Sequence, residues 1–436
     1  MERARISPKI FVRTLGRVPS RLRRALGEYR LYAYLGLLGP GIIAASSGNE
    51  ASGIATYSTA GAHYGYALLW SFIPMTICFI VAQEMCVRMG VVTGQGLADL
   101  IREEFGVRWS ALVMLALLIA NTGIIVAEFV GIAQASELFG ISRYISVPLT
   151  ALVIWWLVVK GTPKRVEQVF LLLSLLFLTY IVSAFLTKPD WAQVGKEFVT
   201  PSFSLDSGYL FTVMALIGTT ITPFMQVYIQ SSVVEKRMDE EDLPVARADA
   251  IIGVIFANLI AAFIVISTAA TLHSQGIELE DAADAAKALA PVAGVYAGYL
   301  FAAGLFGASM LAMGVLPLAT AYSLSEALGF EKGLSRTFRE APIFLGIFTA
   351  LLLIGAFVAL IPGIPQIQLL LVTQCINGLL LPILLAAIVL LANNEEIMGE
   401  YRNGVFYNIL AWTITGVLSF LSFLLIAKTI ADMFST

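Results

Sequence analysis

Long apolar segments alternate with short polar linkers along the 436 residues of the chain. Each segment is about 20 residues long, which is the length an α-helix needs to cross the hydrocarbon core of a bilayer. Charged residues or Gly- and Pro-containing linkers bound the segments. The pattern predicts an all-α polytopic membrane protein with eleven spans, at about 34–58, 66–87, 110–137, 146–160, 167–187, 208–232, 247–272, 293–325, 341–361, 366–393 and 406–431.

The first and sixth segments differ from the others because they are poor in bulky apolar residues and interrupted by Gly, Pro and polar residues. The first contains Gly-Pro-Gly at 39–41 and a polar run at 46–53, and the sixth contains Gly-Thr-Thr-Ile-Thr-Pro at 218–223. Irregular backbone is tolerated at membrane depth only where it is buried in protein or lines a cavity. Two interrupted helices five segments apart are typical of an inverted-repeat transporter with its site at the repeat interface.

Composition excludes several other classes of protein. The chain is 58% hydrophobic and 13% charged, with a mean hydropathy of +0.84, whereas a soluble domain is roughly 25% charged. The three cysteines, Cys78, Cys86 and Cys375, lie in apolar runs and predict no disulfide framework. There is no P-loop, dinucleotide fingerprint, nucleophile elbow or zinc motif. We therefore expect neither an enzyme nor a resident cofactor, nor ATP-driven pumping, nor nucleic-acid binding.

The positive charges are distributed asymmetrically. In an eleven-span arrangement 22 of the 27 Lys and Arg residues fall on the side of the N-terminus, which predicts a plasma-membrane protein with a cytoplasmic N-terminus and an extracytoplasmic C-terminus. Residues 1–30 hold nine of them. We interpret this segment as a cytoplasmic arm that contacts lipid headgroups, with an organelle transit peptide as the alternative. The expected domains are the arm 1–30 and a transporter domain 31–436, with inverted repeats at about 34–187 and 208–393 and an extra helix at about 406–431.

Glu50 is the leading candidate for chemistry because it places a carboxylate among small and polar residues near the middle of the first span. An ionisable group at membrane depth costs several kcal/mol unless it is paired, hydrated or bound to an ion. The functional hypothesis is a cation ligand or a proton carrier. The structural alternative is a neutral glutamic acid that holds helices together by hydrogen bonds. If the pocket is offset by one residue, Asn49 becomes the candidate instead.

Other polar residues in the spans have two interpretations each. Thr222, before Pro223, offers a hydroxyl and a carbonyl to a hard cation, or bonds back to its own helix. Glu128 in the third span is a possible proton relay or an interhelical hydrogen-bond partner. Gln374 and Asn377 in the tenth span could line a cavity or join helices.

The sequence resembles the Nramp family of divalent-metal transporters over nearly its whole length. The resemblance rests on the Gly-Pro-Gly at 39–41, on IATYSTAGAHYGY at 54–66 and on RMGVVTGQGLA at 88–98. Pro-Asp-Trp at 189–191, Pro-Ser at 201–202 and Ser-Ser at 231–232 continue it. The resemblance implies a LeuT-type fold, in which ten helices form two inverted five-helix repeats with the first and sixth helices broken, here followed by an eleventh helix.

The positions that match the family's metal-binding motifs carry different residues. Where the family has Asp-Pro-Gly-Asn, this chain has Glu50-Ala51-Ser52-Gly53, and where the family has Met-Pro-His, it has Thr222-Pro223-Phe224. Glu128 matches an acidic residue of the family, but the aspartate three positions earlier is replaced by Ile125. The resemblance is therefore closest to the Nramp-related magnesium transporters. Without a thioether ligand the remaining donors are oxygens, which favour a hard cation such as Mg²⁺.

The resulting hypothesis is an alternating-access importer of divalent cations, of Mg²⁺ first and Mn²⁺ second, without proton coupling. Glu50 would supply the charge, while Gly53 would leave space for bound water. The other expected site residues are Thr222, Ser47 and Thr219 as neutral oxygen donors, and Asn49, Gln226, Gln374 and Asn377 as lining residues. Two alternatives stay open: a LeuT-like transporter of a small organic solute, and a membrane sensor that does not transport. The expected partners are the divalent ion and the lipid bilayer, with no expectation for the oligomeric state.

Overall fold

The computed structural model describes residues 39–276, 279, 295–361 and 366–435, and these residues form an assembly of helices. The predicted basic arm lies outside the described residues. In chain order the helices are α1 Pro40–Ser46, α2 Ala51–Tyr64, α3 Phe72–Thr93, α4 Leu97–Phe105, α5 Val107–Leu138, α6 Arg143–Lys160, α7 Pro163–Leu175, α8 Leu178–Leu186, α9 Trp191–Val199, α10 Ser207–Thr220, α11 Pro223–Glu235, α12 Leu243–Thr268, α13 Val295–Leu328, α14 Pro342–Ala359, α15 Gln366–Asn393, α16 Glu395–Met398 and α17 Val405–Ser435.

Ten of the eleven predicted membrane crossings have a counterpart in this arrangement. Within the described residues, ten helical segments are long and apolar enough to span a bilayer. The first predicted span, 34–58, instead contains the two short helices α1 and α2, which are not among these ten. Outer helices expose apolar side chains, as Trp156 and Phe420 do, which suits contact with lipid.

The two interrupted helices break where the sequence predicted. Pro40 occupies the first turn of α1, and the helix ends at Ser46, after which the chain is irregular until Glu50 adopts an extended conformation and α2 begins. The second break follows Thr220: Thr222 is extended, and Pro223 starts α11. Proline suits the first turn of a helix because its missing N–H would have no intrahelical partner there.

The broken helices lie inside a shell of long helices. α1 and α2 pack against α12, α10 packs against α15, and α11 packs against α3 and α13. Glycines allow the closest of these approaches: a Cβ on Gly378 would lie 2.5 Å from the carbonyl oxygen of Met214. α10 and α15 therefore touch through their backbones, which brings the second break close to the middle of α15.

Several boundaries differ from those predicted. α2 continues to Tyr64, beyond the predicted end of the first span at about residue 58. The fifth predicted span, 167–187, consists of two helices, α7 and α8, separated by two residues. The short helices α4 and α9 were not predicted, because both are amphipathic segments in the linkers between apolar runs.

Ion pairs connect the linkers that the charge distribution placed on the N-terminal side. Oε1 of Glu84 on α3 lies 3.0 Å from Nε of Arg88 and 2.8 Å from Nε of Arg247, so this carboxylate joins α3 to α12. Lys236 pairs with Glu167 at 2.5 Å. These pairs join the Lys- and Arg-rich ends of helices that are far apart in the sequence.

Candidate functional site

The two helix breaks meet in the interior of the protein. A Cβ on Gly53 would lie 2.7 Å from the hydroxyl oxygen of Thr219 and even closer to the carbonyl oxygen of Gly48. The Tyr57 hydroxyl lies 3.1 Å from the hydroxyl of Thr220 and also joins α2 to α10. Glycine at position 53 therefore permits a close approach of the two breaks. From the sequence, the expected role of this glycine was instead to leave space for bound water.

Glu50 lies at the start of α2 with its side chain completely buried. Its Oε1 accepts hydrogen bonds from the Ser52 hydroxyl at 2.8 Å and from Nε2 of Gln374 at 2.7 Å. Its Oε2 has no hydrogen-bond partner among the described residues. One carboxylate oxygen is thus fixed in position by neutral donors, while the other remains available to a ligand.

Gln374 and Asn377 extend this arrangement onto α15. Nε2 of Gln374 also approaches the Ser52 hydroxyl at 2.6 Å, and Nδ2 of Asn377 donates to Oε1 of Gln374 at 3.3 Å. The side-chain oxygen Oδ1 of Asn377 has no hydrogen-bond partner among the described residues. The two amides therefore join helices and at the same time line the centre around Glu50.

The hydroxyl groups of Thr222 and Ser47, which were expected as neutral oxygen ligands, lie at the two breaks. Both donate their hydrogen to main-chain carbonyl groups. The Thr222 hydroxyl donates to the carbonyls of Gly218 at 2.9 Å and Thr219 at 3.0 Å, and the Ser47 hydroxyl donates to Ala44 at 2.6 Å. Because each hydroxyl donates into its own helix, the lone pairs of its oxygen remain free to bind a cation.

The two remaining polar candidates differ in their surroundings. Nδ2 of Asn49 donates to the carbonyl oxygen of Ala257 at 3.0 Å, which ties the first break to α12. Gln226 on α11 is fully buried, and neither its amide nitrogen nor its amide oxygen has a partner in the described part of the chain. Asn49 thus holds the scaffold, whereas Gln226 is available to a ligand.

Glu128 caps the N-terminus of α2. Its two carboxylate oxygens accept the main-chain N–H groups of Ala51 at 2.9 Å and Ser52 at 3.3 Å. The first N–H groups of a helix have no intrahelical partner, and the helix dipole favours a negative charge at this end. This is the interhelical hydrogen bond that was one of two interpretations of Glu128.

Two residues of this region did not emerge from the sequence. Asp249 on α12 accepts from the N–H groups of Gly39 at 3.0 Å and Gly41 at 2.6 Å, and thereby caps α1 as Glu128 caps α2. Met225 is fully buried, and its methyl group is the nearest atom to a Cβ placed on Gly48. Its spacing of three residues from Thr222, one helical turn, was the signal that could have pointed to it.

The described residues contain no cluster of three or more His, Cys, Asp and Glu side chains that could hold a metal ion. The centre instead combines one available carboxylate with hydroxyl, amide and carbonyl oxygens, all closed off from solvent. Such a centre between two interrupted helices, inside a shell of spanning helices, is the arrangement of a secondary transporter.

Comparison with known proteins supports this class and gives the family. The fold matches that of MhsT in complex with L-phenylalanine, with a TM-score of 0.57 at 15% identity over 89% of this chain and 98% of that one. It matches a manganese transporter from Eremococcus coleocola, in complex with an aromatic bis-isothiourea substituted compound, with a TM-score of 0.72 at 18% identity, over 93% and 88% of the two chains. The expected LeuT-type fold is thereby confirmed.

The family is defined by sequence. Residues 41–428 match the model of the family described as natural resistance-associated macrophage protein-like, or Nramp, and the chain belongs to this family. A divalent metal cation transporter, MntH, from Deinococcus radiodurans is 26% identical over 416 residues, which are 92% of each chain. The protein is therefore a multi-pass membrane transport protein and not an enzyme, and in its relatives metal is cargo and not a cofactor.

Proposed function

We propose that the protein imports divalent cations by alternating access, and that Glu50 is the charged ligand of the transported ion. The names of relatives that align over almost the full length support a divalent cation as cargo. The alternative function, transport of a small organic solute, has less support, because a solute that bears a carboxylate would be repelled by the negative charge of Glu50.

One observation carries the proposal: the buried Glu50 carboxylate has a free oxygen and no cationic partner among the described residues. Its hydrogen bonds come from the neutral Ser52 and Gln374, and no ion pair to it occurs in the described part of the chain. An uncompensated buried carboxylate is unfavourable by several kcal/mol. A bound cation would supply the missing charge.

We propose Mg²⁺ as the principal cargo and Mn²⁺ as the second. Thr222 and the carbonyls near Ser47 and Thr219 would add neutral oxygens, and Gln226, Gln374 and Asn377 would hold water molecules of the ion. Mg²⁺ retains several waters and prefers oxygen ligands. The thioether of Met225, which follows the second break, has its methyl group next to Gly48 of the first break. It supports the admission of Mn²⁺, because sulfur favours softer ions.

We propose further that transport is not coupled to protons. Phe224 and Ile125 have no titratable group at positions where the family carries a histidine and an aspartate, and both oxygens of Glu128 are engaged by the N-terminus of α2. The membrane potential would then drive uptake, since two positive charges gain about 4.6 kcal/mol per 100 mV. The N-terminus would face the cytoplasm.

The test is ion flux into liposomes that contain the purified protein, with one dye for Mg²⁺ or Mn²⁺ and another for pH. We expect saturable entry of both ions, stronger with a negative interior potential, and no change in the pH signal. Glu50→Ala should abolish entry, whereas the exposed Glu340→Ala should leave it unchanged. Entry that persists in a folded Glu50→Ala protein would overturn the assignment of Glu50, and acidification during entry would overturn uncoupled transport.

A further inference from the structure

Three glutamines, of which only Gln226 belongs to the centre around Glu50, are buried where α3 packs on α11. Gln83, Gln226 and Gln230 are all fully buried. Both amide atoms of Gln83 and of Gln226, and Oε1 of Gln230, have no hydrogen-bond partner among the described residues. Buried amide groups without partners are unfavourable, and each such group in a native protein calls for an explanation.

Helix geometry places the three side chains in one row along the contact between α3 and α11, and we call this row the file. A Cβ on Gly90 of α3 would lie 3.1 Å from Cγ of Gln230, so the Gly90 face of α3 is turned toward Gln230 on α11. Gln83 lies seven residues before Gly90, and Gln226 lies four residues before Gln230, so each shares a face with its successor. The rise of 1.5 Å per residue puts Gln226 about 6 Å and Gln83 about 10 Å deeper in the membrane than the Gly90 contact.

The file runs from the helix breaks to the Lys- and Arg-rich end of the molecule. Gln226 lies one turn after Pro223, at the second break. At the other end, Nε2 of Gln230 donates to the carbonyl oxygen of Gln95 at 3.0 Å, in the linker after α3. Amide oxygens are good ligands for a partly hydrated cation, and without a full charge they bind it weakly enough to let it go.

We propose that Gln83, Gln226 and Gln230 form the route by which the cation leaves Glu50 for the cytoplasm, acting as successive transient ligands when the inner half of the protein opens. This inference rests on the proposed function. Gln226 borders the binding centre, whereas Gln83 and Gln230 are assigned to release of the ion alone, separate from its binding at Glu50.

The first test separates release from binding. In Gln230→Leu and Gln83→Leu we expect the maximal rate of Mn²⁺ entry into liposomes to fall about tenfold, because a transient ligand is lost along the route. The equilibrium Kd for Mn²⁺, measured by isothermal titration in detergent, should change less than twofold. Gln134→Leu, which changes a buried glutamine of α5 that is 6% exposed, is the control and should change neither. If Kd rises in proportion to the loss of rate, the glutamines belong to the binding centre, and the proposal is wrong.

A second test uses thiol accessibility, since Cys86 lies between Gln83 and Gly90 on α3. In a protein without Cys78, Cys86 and Cys375, a single cysteine is placed at position 226 or 230, as Gln226→Cys or Gln230→Cys. A membrane-impermeant thiol reagent on the cytoplasmic side should label both at least tenfold faster than Ala120→Cys, which is buried in the inner half of α5. Mn²⁺ should change the labelling rate at 226.

Equal labelling of the three cysteines would overturn the route. Failure of the proposed function is distinguishable from this outcome, because the wild-type protein would then move neither Mg²⁺ nor Mn²⁺ in the same liposomes.

Discussion

The carboxylate of Glu128 lies 2.9 Å from the main-chain nitrogen of Ala51 and accepts its hydrogen bond at the first turn of α2. A side chain 77 residues away thereby holds the second half of the broken first helix at the point where Glu50 precedes α2. The same device recurs at α1, which Asp249 caps, and at α4, where Glu326 accepts the N–H of Ala98 at 3.1 Å. Long helices thus hold the ends of the short ones.

The Glu128 cap predicts a loss of both stability and flux in Glu128→Gln. The amide can accept only one of the two N–H groups and removes the charge that favours the helix N-terminus, so we expect a loss of about 1.5–3 kcal/mol in the free energy of unfolding and about tenfold slower Mn²⁺ entry. Thermal unfolding in detergent and liposome flux are the measurements. Glu137→Gln is the control, because Glu137 lies on α5 as Glu128 does but forms an exposed ion pair with Arg143 at the start of α6. It should have little effect. Equal stability of the two variants would contradict the cap.

The close approach at Gly53 predicts weaker cation binding in Gly53→Ala. The added methyl would push against the Thr219 hydroxyl and the Gly48 carbonyl and separate the two breaks. This corresponds to about 1–3 kcal/mol and to a rise of about 5- to 150-fold in the Kd for Mn²⁺. The double variant Gly53→Ala with Thr219→Ala should recover part of the affinity. Gly346→Ala, where a Cβ would meet nothing within 4 Å, is the control. An unchanged Kd in Gly53→Ala would show that the breaks need not touch.

The Asp249 cap predicts that Asp249→Asn loosens α1. One of the two hydrogen bonds from Gly39 and Gly41 is lost together with the charge, and about 1.4 kcal/mol of local stability corresponds to tenfold faster opening. Hydrogen–deuterium exchange of a peptide that covers Pro40–Ser46 should therefore accelerate about tenfold. Asp432→Asn, at an exposed pair with Lys428, should leave that peptide unaffected. No acceleration would mean that packing, and not the cap, holds α1.

The position of Met225 predicts a change in ion preference. Met225→Leu keeps the volume of the side chain but removes the sulfur, so we expect the rate of Mn²⁺ entry to fall about fivefold relative to Mg²⁺, with weaker inhibition by Cd²⁺. Competition between the ions in liposomes measures this ratio. Met214→Leu replaces another buried methionine, on α10, and should preserve the ratio. A ratio that is the same in all three proteins would exclude the thioether as a ligand.

The sequence predicted the features that depend on local chemistry. The two breaks follow from Pro, Gly and polar residues that a spanning helix rarely contains, and Glu50 was conspicuous as a carboxylate at membrane depth. The contacts between distant residues were not predictable in the same way. Gln374 reaches Glu50 across 324 positions and Glu128 reaches α2 across 77. Hydropathy records how deep such residues lie, but not which backbone groups they face.

The pairing of Glu128 with the N-terminus of α2 leaves Glu50 as the one carboxylate of the centre whose charge is not balanced by a helix end. With Glu50 ionised, the vacant centre would carry one negative charge, and with a divalent ion it would carry one positive charge. Loaded and vacant carriers would then move charges of opposite sign in opposite directions. Each half of the cycle would move one elementary charge in the direction that an interior-negative potential favours. The potential would therefore accelerate both steps, and neither step would limit the rate independently of voltage.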